Sequence, residues 1–409
     1  MPSSAGSTST SRRASWTTGR SRPRIPANGY ARLVSFVLFS GSNDRAVHAL
    51  ARVMRACGER FVVIARKGRD RARSSFLRHH LAAARTGDVL EPAAFEALLK
   101  SARLPDDGDG TRVLVPSSEY LNLFLVGLDR ERLRRETGCT IPLVERELYH
   151  RLTHKESSTR LFAGAGFRVP AVLDGFDPGA LPLVAKPRTN HGPDGLLQYP
   201  VLIETRADLD AFLARGASER YFPQEFVRGD SRYLLAYVSR GGEIYASSQR
   251  NLAQQPGGKS VVLAETSDFH ESEVARRAVE LLKRVAFHGF AMIEFIVDAA
   301  GPCYIEVNPR PWGPLQLCAD HACGIIEAFL GDYAHDDPSR YRALWQRKPR
   351  HARYMWIGGM IETFGSGRRT AWNPTFTGSR AAAIGRSLGG DVYLRRDTLG
   401  VFLGEAIGR

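Results

Sequence analysis

The stretch GFAMIEFIVDAAGPCYIEVNPRPWGPLQL, residues 289–317, restricts this chain more than any other. Its apolar residues recur with the period of two that a strand requires. Ala291, Ile293, Phe295 and Val297 fall on one face, and Met292, Glu294 and Ile296 on the other. A return strand would carry Cys303, Ile305 and Val307 on one face and Tyr304, Glu306 and Asn308 on the other. Asp298–Gly301 fits a short hairpin loop, with Gly301 suited to a left-handed backbone. With the loop centred near Ala300, Glu294 and Glu306 face each other. Two carboxylates opposed in apolar surroundings repel and are costly to bury unless something positive lies between them. Magnesium suits that place, because it takes hard oxygen ligands and is often held by one or two carboxylates plus substrate phosphates. Asn308 shares their face, and Arg310 follows on the same alternation, suited to a phosphate or a transferring phosphoryl group. A solvated hairpin face would explain any one of these glutamates, but not the whole pattern Glu-x11-Glu-x-Asn-x-Arg running into Pro-Arg-Pro-Trp-Gly.

The segment IEVNPRPWG resembles the C-terminal signature of the ATP-grasp superfamily, above all its carbamoyl-phosphate-synthase-like and carboligase branches. The resemblance implies an α/β chain with an ATP-grasp fold behind a small parallel-sheet lobe. It implies Glu294, Glu306 and Asn308 as ligands of Mg–ATP, and Arg310 as a catalytic residue facing an acyl phosphate. Manganese could replace magnesium in such a site.

Composition narrows the alternatives. A chain of 409 residues can build two or three compact lobes, and no apolar run reaches the ~20 residues that span a bilayer. The net charge of +14 raises the question of nucleic acid. However, residues 1–43 hold six arginines and no Asp or Glu, so much of the excess sits in one tail. The rest lacks aromatic interleaving, and a basic surface serving anionic small ligands such as ATP is the better reading. Cys57, Cys139, Cys303, Cys318 and Cys323 form no CxxC pair and read as free thiols of a reducing compartment, hence a cytoplasmic protein.

Along the chain, residues 1–28 are rich in Ser, Thr, Arg and Pro and should be disordered. From Ala31 the pattern becomes alternating strand and helix, the mark of a parallel sheet. LVSFVLF is a strand, Ser42-Asn43-Asp44 opens a helix that ends near Gly58, and FVVIA is the next strand. Pro92–Lys100 is a helix, and RVLVP a strand running into Ser117-Ser118-Glu119. No GxGxxG follows the first strand, so a dinucleotide site is not supported. Ser42 and Glu119, at strand ends, are loop or substrate-site residues.

Thr153–Ala163 reads as a capped helix whose first turn holds Lys155, against the helix dipole. A phosphate partner would explain it. The superfamily commonly has Asp-Lys here; this chain has His154-Lys155, followed by a matching Gly166-Phe-Arg-Val-Pro170. Leu183–Ala185 is a strand delivering Lys186 to the polar loop Arg188–Gly195, an arrangement that fixes one phosphate contact beside a mobile cover. By resemblance, Lys155 and Lys186 contact ATP and the loop is its lid. Arg220–Asp230 resembles the strand behind adenine. Gln224, Glu225 and Val227 would face the base, Phe226 would turn into packing, and Asp230 would meet a ribose hydroxyl. Tyr233–Val238 and Glu243–Ser247 form a hairpin around Gly241-Gly242. Arg250, Lys259 and Gly257-Gly258 then resemble the acceptor-site pattern of related carboligases, with Arg250 catalytic or, alternatively, part of a solvated loop. Ser272–Phe287 is an amphipathic core helix. Cys318, His321 and Cys323 read as packing rather than a metal site.

The expected organisation is a basic tail (1–28), an α/β lobe (29–150), an ATP-grasp domain (151–330, lid subdomain about 168–230) and a helical C-terminal segment (331–409). The expected activity is ATP-dependent activation of a carboxylate as an acyl phosphate and its coupling to an amine. Carboxylation, or another non-amine acceptor, is the alternative within enzymes, and an RNA- or membrane-surface protein without turnover the alternative outside them. Small molecules are the expected partners, with no nucleic acid, no membrane and, as in many relatives, a homodimer.

Overall fold

A computed structural model describes residues 34–68, 70–86, 91–104, 110–190, 192, 197–216, 218–345 and 351–407. The tail expected over 1–28 and most of the second half of the loop Arg188–Gly195 lie outside these residues. Residues 32–409 form one compact unit.

The N-terminal lobe is a parallel sheet of β1 (Val34–Phe39), β2 (Arg60–Arg66), β3 (Leu81–Arg85), β4 (Thr111–Leu114) and β5 (Cys139–Thr140), in the order β3-β2-β1-β4-β5. All six residues of β1 are buried, as expected of a strand covered on both faces. The helix α1 (Asp44–Cys57) follows β1 and stops at Gly58, whose φ of 77° is left-handed. Its opening differs from expectation. Asn43 occupies the N-cap position with φ 54°, but its side chain does not cap. The amide instead donates to the carbonyls of Ser117 (2.8 Å) and Pro311 (3.0 Å), tying this lobe to the segment that carries Arg310. The helices α2 (Pro92–Ser101), α3 (Glu119–Val126) and α4 (Arg130–Thr137) complete the lobe, and α5 (Arg146–Thr153) and α6 (Lys155–Gly164) lead out of it.

A small antiparallel sheet follows: β6 (Leu183–Pro187) lies between β7 (Val201–Ile203) and β8 (Tyr221–Glu225). Leu183, Ala185 and Ile203 pack there on Leu209 and Phe212 of α7 (Arg206–Leu213).

The central sheet contains β9 (Asp230–Val238), β10 (Ile244–Gln254), β11 (Val261–Ser267), β12 (Gly289–Asp298) and β13 (Gly301–Asn308). The C-terminal segment, expected to be helical, contributes two further strands, a correction to the sequence reading. β14 (Arg353–Met355) extends the order to β13-β12-β9-β10-β11-β14, and β15 (Ala371–Trp372) pairs with β10. Both strands are too short for a period of two to show in the sequence. Each face of the sheet is buried. Ala291, Ile293, Phe295 and Val307 join α8 (Glu273–Arg284) and the parallel lobe, while Tyr233, Leu235 and Met292 join α9 (Leu315–His321) and α10 (Ile325–Ala334). No helix among the described residues is long and apolar enough to cross a membrane.

Candidate active site

The β12–β13 hairpin pairs Glu294 directly with Glu306, and Asp298 with Gly301, whose φ is 102°. One departure from strict alternation matters. After Glu294↔Glu306 the next pair is Phe295↔Tyr304, so Ile305 is an extra residue. The strand bulges there. Tyr304, expected on the Glu306 face, turns into the core and stacks on Phe162 at 3.8 Å, a contact worth about 0.5–1.5 kcal/mol beyond its buried area. Ile305 instead lines a cavity beside Glu306, and its carbonyl accepts from the Lys186 ammonium. A bulge cannot be read from alternation, which breaks only once the partner strand is known.

The cavity holds about 970 Å3. Glu294, Glu306, Asn308 and Arg310 line one wall of it, Lys186 and Gln224–Val227 another, and Ser42, Arg45 and Glu119 belong to the wall from the parallel lobe. Lys155 is not a lining residue. Its ammonium, 1% exposed, lies 3.1 Å from Glu306 Oε2 and 3.2 Å from Asn308 Oδ1. The partner that justifies a lysine in the first turn of α6 is therefore the hairpin itself. Asn308 also donates to Glu306 Oε1 at 2.6 Å.

These contacts split the two carboxyls. Burial and the neighbouring Glu306 hold Glu294 above the ordinary range. Burial also works against ionised Glu306, but Lys155, Lys186 and the Asn308 amide outweigh it and hold that carboxyl below the ordinary range. Burial lowers Lys186 to about 8, with Glu306 opposing the shift and Lys155 adding to it.

Glu294 is oriented from behind by a chain of side chains that sequence reasoning missed. Ser231 Oγ donates to Glu294 Oε1 at 2.9 Å, Asn251 donates to Ser231 at 2.9 Å, and Gln249 donates to Asn251 Oδ1 at 2.6 Å. The available signal was compositional: Ser247, Ser248, Gln249 and Asn251 are buried polar residues within a single strand, and buried polar groups need partners.

Besides Lys155, two expected site residues fall elsewhere. Asp230, expected on a ribose, pairs with Arg232 (2.5 Å) and Arg250 (3.1 Å) and also accepts from Asn373. Arg250, expected at the acceptor, spends its guanidinium on Asp230 and Thr375. Neither lines the cavity. Strand parity explains both. Ser231 and Tyr233 of β9 face Glu294, so Asp230 and Arg232 point the other way, and Arg250 is registered opposite Arg232. Phe226, expected in packing, lines the cavity instead, with the Arg228 guanidinium 5.6 Å from its ring centroid. Ser42, Glu119 and Lys259 do line it. Asn190, from the loop after Lys186, donates to Glu119 Oε2 at 2.6 Å, and Arg310 Nε lies 3.8 Å from the same oxygen.

Among the described residues no group of three or more His, Cys, Asp or Glu could hold a metal. Cys318 packs in the core, as expected. The hairpin offers two carboxylates and one amide oxygen, a donor set that fits a hard cation only if a ligand's oxygens complete its shell.

No protein-family model and no curated protein matches this chain. Solved structures do. The biotin carboxylase domain dimer of Hydrogenobacter thermophilus 2-oxoglutarate carboxylase, in complex with MgADP, ADP and bicarbonate, matches at 15% identity and TM-score 0.50, over 69% of this chain and 64% of that one. This chain thus covers just under two thirds of that relative. Campylobacter jejuni biotin carboxylase matches at 14% identity and TM-score 0.54, over 73% and 70% of the two chains. The ADP complex of purK, N5-carboxyaminoimidazole ribonucleotide synthetase, matches at 14% identity and TM-score 0.52, over 81% and 84%. With its small parallel lobe, its three-stranded sheet and its central antiparallel sheet, the chain has the ATP-grasp fold.

Proposed function

We propose that the protein is an ATP-dependent ligase that phosphorylates a carboxylate and couples it to an amine, releasing ADP and phosphate. The observation that carries this reading is the pairing of Glu294 with Glu306 on one wall of a cavity also lined by Asn308, Lys186 and Arg310. Glu294, Glu306 and Asn308 would hold magnesium. The raised Glu294 carboxyl supports this, because a buried carboxylate facing another is short of positive charge. Magnesium, when bound, neutralises charge on the transferring phosphoryl group. Lys186, on a rigid strand, holds nucleotide phosphate, and Gln224, Glu225 and Val227 border the base. Lys155 keeps Glu306 ionised and in place. Arg310 faces the phosphoryl group as a carboxylate oxygen attacks the γ-phosphorus and the bond to the β-phosphate breaks. The amine then attacks the acyl carbon and phosphate leaves. The partners in this reading are small molecules.

The test is ADP release by the purified protein with Mg–ATP against pooled carboxylates and amines, with bicarbonate alone as a separate arm, beside Glu306→Gln. Release that needs both a carboxylate and an amine, and falls by about 10^2- to 10^3-fold in the variant, is the expected result. Release driven by bicarbonate without an amine would replace amine coupling with carboxylation. Absence of Mg–ATP binding would end the reading.

A further inference from the structure

We propose that Arg45 is an oxyanion-binding residue of the cavity, built to receive a carboxylate or phosphate group of the second substrate. This refines the ligase reading above and rests on it for the ligand's being a substrate.

Arg45 stands in the first turn of α1 and lines the cavity together with Ser42, Ser260 and Gly313. Its guanidinium is held on several sides. The ring of Trp356 lies 3.9 Å from Cζ. Nη1 donates to the Val261 carbonyl and to the Tyr354 hydroxyl, and Nη2 to the Ser260 hydroxyl, each at 3.2 Å. The backbone at Gly313 approaches so closely that a Cβ there would lie 2.9 Å from Nη2 and 3.0 Å from Cζ. This accounts for the glycine that closes Pro-Arg-Pro-Trp-Gly: a side chain would push the guanidinium out of position.

Every one of these partners is neutral: a carbonyl, two hydroxyls and an indole face. Among the described residues Arg45 makes no ion pair. Other arginines differ, at the cavity and away from it. Arg310 lies near Glu119 and Arg250 on Asp230. A guanidinium has five N–H donors, and the protein uses three of those on Arg45. A half-buried cation with its geometry fixed, no carboxylate paired with it and unused donors is preorganised for a planar oxyanion; Glu405, bonded to Trp356 Nε1, acts on it through space without pairing. The C-terminal segment does much of the holding. Tyr354 and Trp356 belong to it, and Trp356 Nε1 is itself fixed on Glu405 Oε2 at 3.1 Å, which Arg71 balances through Oε1 at 2.8 Å.

The experiment is calorimetric titration of the nucleotide-free full chain with succinate and, separately, inorganic phosphate, for the wild type, Arg45→Ala, Arg45→Lys and Gly313→Ala. Circular dichroism checks folding. One of the two anions should bind the wild type, and which one identifies the group recognised. Arg45→Ala should weaken it about 10- to 100-fold, the size of a lost charge-assisted contact. Arg45→Lys should recover little, since an ammonium lacks the fork. Gly313→Ala should weaken it with the fold intact. Mg–ATP affinity should stay within about twofold throughout. If Arg45→Ala does not fold, the lysine and Gly313 variants carry the test. Equal anion affinity in wild type and variants overturns the proposal, as does binding of neither anion. Arg45-dependent anion binding without any Mg–ATP binding would overturn the ligase reading and leave this site standing. Mg–ATP binding with Arg45-independent anion binding would do the reverse.

Discussion

On the hairpin wall of the cavity, charges are matched within the protein: Lys155 meets Glu306 at 3.1 Å, and Asn308 bridges the two. On the wall from the parallel lobe, Arg45 is held just as firmly but only by neutral groups. The difference shows how the same low-dielectric setting serves two ends. A compensated cluster keeps its geometry before any ligand arrives. A cation with no paired carboxylate keeps donors free for an anionic ligand, the role proposed for Arg45. Glu294 lies between these cases. It has a hydroxyl and an amide chain behind it, but burial and the facing Glu306 outweigh these and the nearby lysines and raise its carboxyl.

The comparison breaks most visibly at two arginines that the sequence treats alike. On the proposed reaction, Arg310→Ala should lower kcat by about 10^2- to 10^3-fold, because it removes a positive group from the cavity wall that carries Glu294 and Glu306. Arg250→Ala should leave kcat within a few-fold and lower the melting temperature, because it strips one partner from buried Asp230. Steady-state ADP release and thermal melts check both, and a loss in Arg250→Ala as large as in Arg310→Ala would return Arg250 to the chemistry.

A smaller effect is expected at Ser231→Ala. Removing the hydroxyl that orients Glu294 should weaken magnesium affinity about 10- to 100-fold without altering the fold. Magnesium titration of nucleotide binding measures it. Unchanged affinity would mean that Glu294 needs no orientation from β9.

The smallest effect sharpens the account of Glu294. Its folded carboxyl titrates above the unfolded one, so the native state binds the extra proton. That contribution to stability is complete below the unfolded value and is lost as pH rises through the folded one. Glu294→Gln should therefore raise the melting temperature of the ligand-free protein at pH 8 by about one degree, about 1 kcal/mol. Mg–ATP affinity runs in the opposite sense: it should fall as pH drops through the raised value, because proton and metal compete, and the variant should lose that slope. A wild-type melting curve that does not depend on pH would remove the argument.

The places of Lys186 and the hairpin acids were legible in the sequence because each is set by local pattern: Lys186 at the end of an apolar run, and Glu294 opposite Glu306 across a short loop; Lys155, read as an ATP contact, turns instead onto Glu306 and Asn308. Arg250 and Asp230 were misplaced for a related reason. They stand in the right order along the chain, but one residue's difference in strand parity turns a side chain to the other face. Ser231, Asn251 and Arg45 carry no motif at all.

The sequence by itself determined the α/β pattern, the hairpin and the carboxylate pair, because alternation and turn chemistry act over a few residues. Tertiary structure alone decided three things. It set the bulge at Ile305 that sends Tyr304 to the core, the inclusion of β14 and β15 in the central sheet, and the setting of Arg45 among Ser260, Val261, Gly313, Tyr354 and Trp356. In each case the deciding contact joins residues that are far apart in the chain or belong to different strands. Whether a buried charge is matched or left open depends on the sum of such contacts, which no local pattern encodes.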